Sequence, residues 1–136
     1  MHNNFTSFKL GNRVSNAEFD TLRIGYRRVT GSVTLFKFKD ADTNQFVYFM
    51  PTFDITGYGE TEEKALEMAK FSLNEYFLYL TRLSNKKRDA ELSALGFKRE
   101  RLRQKEFSKA IVDVNGELQN FNAADGKVER LTLEAA

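Results

Sequence analysis

The chain has 136 residues, 41% of them hydrophobic and 29% charged, which suits one soluble globular domain with its own core. Its net charge is +2, from 21 basic and 19 acidic residues, so no global field compels nucleic-acid binding. The absence of cysteine excludes disulfides, thiolate metal sites and cysteine nucleophiles, and the single histidine, His2, lies where a chain end is usually loose and makes a poor base or ligand.

Thirteen Phe and five Tyr supply a large apolar area for a small core. No apolar run approaches the roughly 20 residues needed to cross a bilayer. Residues 1–16 lack both the charged leader and the apolar stretch of a signal peptide. A cytoplasmic protein without membrane contact is therefore expected, as one domain over residues 1–136 with residues 1–20 as a loose extension. In that extension Phe5, Phe8 and Leu10 fit a short strand, while Asn3, Asn4, Asn12, Ser15 and Asn16 favour loops.

Thr21 to Val29 reads as a strand, because Leu22, Ile24 and Tyr26 alternate with Arg23, Gly25 and Arg27. Thr30-Gly31-Ser32 signals a turn. Ser32 to Lys39 is a second strand whose apolar parity changes between Leu35 and Phe36, implying a bulge or burial on both faces. After a polar turn, Gln45 to Met50 is a third strand, apolar at nearly every position. Two short turns predict a three-stranded antiparallel meander. Pro51 ends the third strand. The linker from Thr52 to Glu60 carries Gly57 and Gly59, which permit positive φ or a close backbone approach.

Thr61 has the chemistry of an N-cap, with Glu62 and Glu63 favoured by the dipole of the first helical turn. Leu66, Ala69, Leu73, Tyr76 and Leu80, widened by Phe77, then form a helical stripe that should cover one face of the sheet. Ser84-Asn85 interrupts this helix or opens another. Ala90, Leu92, Ala94 and Leu95 lead to a C-capping Gly96 and a hydrophobic clasp at Phe97. Lys98 to Glu106 reads as a solvated, basic connector. Phe107, Ile111, Val114, Leu118 and Phe121 repeat at helical spacing, against the hairpin signal of Asn115-Gly116, and helix is the favoured reading. Val128 to Leu133 is a closing strand. The fold class predicted is α+β, with the meander packed by the long amphipathic helix and completed by a C-terminal helix and strand.

Catalytic constellations are weakly represented. Asp20, Asp40, Asp42 and Asp54 fall at strand ends, where a cluster could bind magnesium for a metal-dependent nuclease, although strand-end Asp is more often turn chemistry. Gly57-Tyr58-Gly59 precedes a helix but lacks the full glycine pattern and lysine of a phosphate loop, so a structural turn is the better account. No cofactor, catalytic residue or metal ligand is assigned. Basic residues form a second constellation. Arg23, Arg27 and Arg28 lie on the first strand, Lys86, Lys87 and Arg88 at the helix break, and five more in Lys98 to Lys105. Converged, they would bind phosphates, with aromatics for stacking, and Arg23, Arg27, Arg101 and Arg103 are the residues named for an RNA-binding alternative. The plainer account is a solvated surface, since Asp89, Glu91, Glu100 and Glu106 dilute the same segments.

Val47-Tyr48-Phe49, Pro51, Gly59-Glu60-Thr61, Glu63 and Ala65, followed by Ala69 and Leu73, resemble the HicB-type antitoxin family. In that family an extended strand ends near a proline and a Gly-acid-Thr turn opens a long helix. The match covers about a third of the chain. Where the family usually has Leu-Pro-Gly-Cys before the turn, this chain has Phe53-Asp54-Ile55. The resemblance implies a partial ribonuclease-H-like fold without catalytic carboxylates. It also implies a non-enzymatic protein that binds and occludes a small HicA-like toxin ribonuclease. Direct DNA binding is not expected, because residues 84–136 do not resemble the ribbon-helix-helix or helix-turn-helix module of many members. Short exposed strand edges predict a homodimer.

Overall fold

A computed structural model describes residues 7–12, 19–109 and 121–136. In chain order these form β1 (Phe8–Asn12), β2 (Thr21–Gly25), β3 (Arg28–Lys39), β4 (Phe46–Met50), β5 (Ile55–Gly59), α1 (Glu62–Arg82), α2 (Asn85–Ala94), β6 (Phe97–Arg99), β7 (Glu106–Lys109) and β8 (Glu129–Ala135). The architecture is mixed α/β, with these eight strands in one antiparallel sheet and these two helices. His2 and Phe5 lie outside the described residues, whereas Phe8 and Leu10 belong to a strand, β1.

The sheet is built around β3. One edge pairs with β8, from Gly31↔Ala135 to Lys37↔Glu129, and β8 pairs in turn with β1. The other edge is shared: β2 takes the first half, from Gly25↔Arg28 to Thr21↔Ser32, and β4 the second, from Phe36↔Phe49 to Lys39↔Phe46. A meander needs β2 and β4 on opposite edges of β3, so the predicted meander is corrected to a fork. The change of parity at Leu35 and Phe36 reflects burial on both faces, and pairing with β8 runs through both residues without a bulge.

The turn expected at Thr30-Gly31-Ser32 is also corrected. The chain reverses at Tyr26-Arg27, and Gly31 lies within β3. A Cβ on Gly31 (φ +149°) would lie 2.0 Å from the Thr21 carbonyl oxygen. Its glycine therefore serves close strand approach rather than chain reversal. Residues 52–60 are not a simple linker either, because Ile55–Gly59 folds back on β4 as a strand after the turn at Pro51.

Helix α1 begins where the sequence places it. Thr61 Oγ1 accepts a 3.1 Å hydrogen bond from the Lys64 N–H, and Glu62 also pairs with Lys37 of β3. The buried face is Ala65, Ala69, Leu73, Phe77 and Leu80, with Leu66 and Tyr76 at its margin. This face is rotated toward the alanines because β5 presents glycine to the helix. A Cβ on Gly57 would lie 2.4 Å from both Ala65 O and Ala69 N. Behind it, Leu73, Phe77 and Leu80 meet Leu22, Val33, Leu35, Leu131 and Leu133 in the core, each such side chain contributing about 1.5–3 kcal/mol on full burial.

Helix α2 is a separate helix. Ser84 caps its start by accepting from Lys87 N–H, and Gly96 (φ +96°) ends it. Phe97 is buried and stacks on Phe53 at 6.1 Å, but it also begins β6. The basic connector of residues 98–106 is in fact the body of the β6–β7 hairpin. Phe107 pairs with Leu22, so Glu106–Lys109 is strand where the helical reading began, and β2 supplies the partner that local periodicity could not reveal. Ile111, Val114 and Leu118 of the helical stripe and the Asn115-Gly116 hairpin signal lie outside the described residues. Phe121 covers the sheet face opposite α1, with ring centroids 4.8 Å from Phe38, 5.4 Å from Phe36 and 5.7 Å from Phe49.

Candidate functional site

Pairing of β2 with β7 sets the β2–β3 and β6–β7 hairpins side by side. Residues 21–30 and 97–107 together carry eight basic and two acidic side chains, in a protein whose net charge is only +2. One end of the molecule is therefore strongly basic and the remainder is net acidic. A groove of about 620 Å³ opens at this end, between the Tyr26-Arg27 turn, the α1–α2 junction and the β6–β7 hairpin. Its charged lining is Arg27, Arg88, Arg99, Lys105 and Asp89.

These cations are not equivalent. Arg88 is a structural clamp: its guanidinium donates to the Leu80, Thr81 and Leu83 carbonyls at 2.8, 3.4 and 2.9 Å, closing the C-terminus of α1. Arg99 pairs with Asp89 and covers the Phe107 ring. Arg23 and Arg103 converge on Glu106, 3.2 and 3.3 Å from its Oε1. Arg27 lies 5.1 Å from the centroid of the Tyr26 ring. Neither Arg27 nor Lys105 has an ion-pair partner among the described residues. Of the four arginines named from sequence, Arg23 and Arg103 are thus brought together, Arg27 lines the groove, and Arg101 lies exposed on the hairpin loop.

The aspartates do not form one site. Asp20 is 1% exposed and accepts from Thr34 N–H at 2.9 Å and Thr52 Oγ1–H at 2.6 Å. Burial nevertheless pushes its pKa up, and those hydrogen bonds oppose the shift. Asp40 organises the β3–β4 turn, where the Thr43 N–H and hydroxyl hold its carboxyl below the usual range. Asn122 donates to Asp42 at 3.0 Å and tethers the same turn. Asp54 is exposed at the opposite end of β4, at φ 53°. Among the described residues no group of three or more His, Cys, Asp or Glu is placed to hold a metal. Gly57-Tyr58-Gly59 is a packing element, since both glycines face the start of α1.

A second surface lies on the outer side of α1. Met68, Phe71 and Tyr79 recur along one exposed strip with Glu75, at 36, 66 and 44% exposure for the three apolar residues. The strip adjoins the edge strand β5, where Tyr58 is 51% exposed and its N–H donates to Met68 Sδ at 3.4 Å. Across residues 58–75 five glutamates face two lysines, so this side is acidic. No helix among the described residues is long and apolar enough to cross a membrane.

Comparison with protein-family models, with curated proteins and with solved structures finds no match for the chain. Sequence reasoning missed Tyr26, which it placed on the inward face of a strand. The residue is 85% exposed because β2 ends at Gly25. Tyr26-Arg27 carries no turn chemistry of its own, so the reversal shows only in the pairing of Gly25 with Arg28.

Proposed function

We propose that the protein is a non-enzymatic, HicB-like binding protein that docks on a small basic ribonuclease of the HicA type and covers its RNA-cutting surface. The observation that carries this reading is the exposed strip of Met68, Phe71 and Tyr79 beside Tyr58 on the β5 edge. Apolar side chains left open on a carboxylate-rich surface suit a partner with an apolar patch inside a basic field. The residues that carry the family resemblance, from Val47 through Leu73, belong to the same β4–β5–α1 unit as the strip. A partial ribonuclease-H-like relationship is proposed for that β4–β5–α1 unit alone. Activity in the cytoplasm, where a toxin would meet its RNA, belongs to the same proposal, as does a homodimer of the free protein.

The test is expression of neighbouring reading frames that encode small basic proteins, alone and together with this chain. Support requires a neighbour that arrests growth alone, rescue by this protein, and a purified complex. Phe71→Glu should weaken that complex at least tenfold without loss of fold, because it places a charge at the centre of the strip. If no neighbour is toxic and none binds, the reading is wrong.

A further inference from the structure

We propose that the basic end is a binding site for single-stranded nucleic acid, with Tyr26 stacking on a base and Arg27 and Lys105 holding the adjoining phosphates. This inference is independent of the docking face on α1.

Three observations meet at this groove. First, tertiary pairing concentrates charge there: β2 and β7 bring together two hairpins that are remote in sequence. Second, of the four cations that line the groove, Arg88 and Arg99 are already engaged, while Arg27 and Lys105 are left without carboxylate partners among the described residues. Asp89, the groove's one acidic lining residue, is taken by Arg99. Third, the turn departs from ordinary turn chemistry. A two-residue hairpin loop favours Asn-Gly or Asp-Gly, yet here it is Tyr-Arg, with Arg27 at φ 57°. Tyr26 is 85% exposed, so the fold gains little burial from it. A left-handed arginine and an open tyrosine at the mouth of a basic groove are costly for a turn and useful for a ligand.

The combination selects the ligand. Every base offers a π face to a tyrosine, and every linkage offers a phosphate to a cation, whereas a paired duplex keeps its bases stacked away from such a platform. A flexible single strand can enter the groove and also follow the outer cations, Arg28 and Arg101. The shared chemistry covers RNA and DNA, which differ at the 2′-hydroxyl.

The experiment is fluorescence anisotropy of the full chain with a labelled strand of about 12 nucleotides, within the length such grooves span. RNA, DNA and a duplex are titrated separately, from about 50 to 200 mM salt. Tighter binding of one single strand supports the site and identifies its source; equal affinity for RNA and DNA supports recognition through stacking and phosphate alone. Tyr26→Ala should weaken binding roughly five- to hundredfold, and Tyr26→Trp should restore it. Arg27→Ala with Lys105→Ala should reduce the slope of log affinity against log salt by about 1.4, two phosphates at about 0.7 each. Lys127→Glu, in a remote exposed turn, should have little effect. The proposal is overturned if no strand binds at low salt, if the duplex binds as tightly and Tyr26→Ala is neutral, if Lys127→Glu weakens binding as much as the double variant, or if polyglutamate competes as well as RNA.

Discussion

The Asp20 carboxylate accepts a hydrogen bond at 2.9 Å from the backbone N–H of Thr34, at the point where the sheet forks. Strand β2 pairs with β3 only up to Ser32 and β4 only from Phe36, so the interval between them has no ladder partner on that edge. The carboxylate fills the gap and joins it to Thr52 in the turn after β4. Asp20→Ala leaves two buried donors without an acceptor and should cost about 2–4 kcal/mol, while Asp20→Asn, which keeps an acceptor for Thr34, should cost less. Urea denaturation of both variants measures this.

The same residue makes a signed prediction about pH. Burial raises the Asp20 pKa in the native state, so the folded protein holds that proton more tightly than the unfolded chain. Its contribution to stability is greatest when it is protonated. It declines as pH rises from the unfolded value of about 3.9 through the higher native value, then levels off. Comparing thermal midpoints from about pH 7 down to about pH 4, the wild type should gain relative to Asp20→Asn. A difference that stays flat, or moves the other way, contradicts this account.

Gly57 and Ala69 set how closely α1 lies on β5. A Cβ at Gly57 would come within 2.7 Å of the Ala69 Cβ as well as within 2.4 Å of its backbone nitrogen. Backbone cannot yield as a flexible side chain can. Gly57→Ala should therefore destabilise by about 3 kcal/mol or more, whereas Gly11→Ala in β1, with nothing within 4 Å, should be nearly neutral. Equal denaturation midpoints for the two variants would refute this packing.

Phe121 is the described residue whose ring seals Phe36, Phe38 and Phe49 on the face away from α1. It is half-buried, so Phe121→Ala should cost about 2–3 kcal/mol, below the range for a fully enclosed ring. Binding of a hydrophobic dye should rise as Phe36, now 2% exposed, is uncovered.

Met68 occupies the outward N–H of Tyr58 and so blocks part of the β5 edge. Met68→Ala should leave the melting temperature nearly unchanged and increase concentration-dependent association, because an unguarded edge can pair with another strand. Light scattering over a concentration series reads the outcome directly.

Local elements were largely legible in the sequence. Thr61, Ser84 and Gly96 act through neighbours within a helical turn, and each does what its chemistry predicts. Pro51 ends β4 for an equally local reason. Errors arose where one residue type serves two physical ends. Gly31 signals a turn or a close strand contact, and only the position of Thr21 decides between them. Phe107 fits the start of a helical stripe until β2 is available to pair with it.

The candidate sites show the same division. The sequence by itself determined which segments are basic, that Gly57 and Gly59 permit positive φ or a close backbone approach, and that cysteine and histidine chemistry has little to work with. Tertiary structure alone decided that Arg23 and Arg103 share Glu106, that Tyr26 and Lys105 face one groove, and that β8 enters between β1 and β3. The reason is physical. Caps and helical stripes are governed by contacts between near neighbours, whereas Arg23 and Glu106 stand 83 residues apart. Such pairing depends on competition among all the strands for the edges of β3 and β2, which no short stretch of sequence encodes.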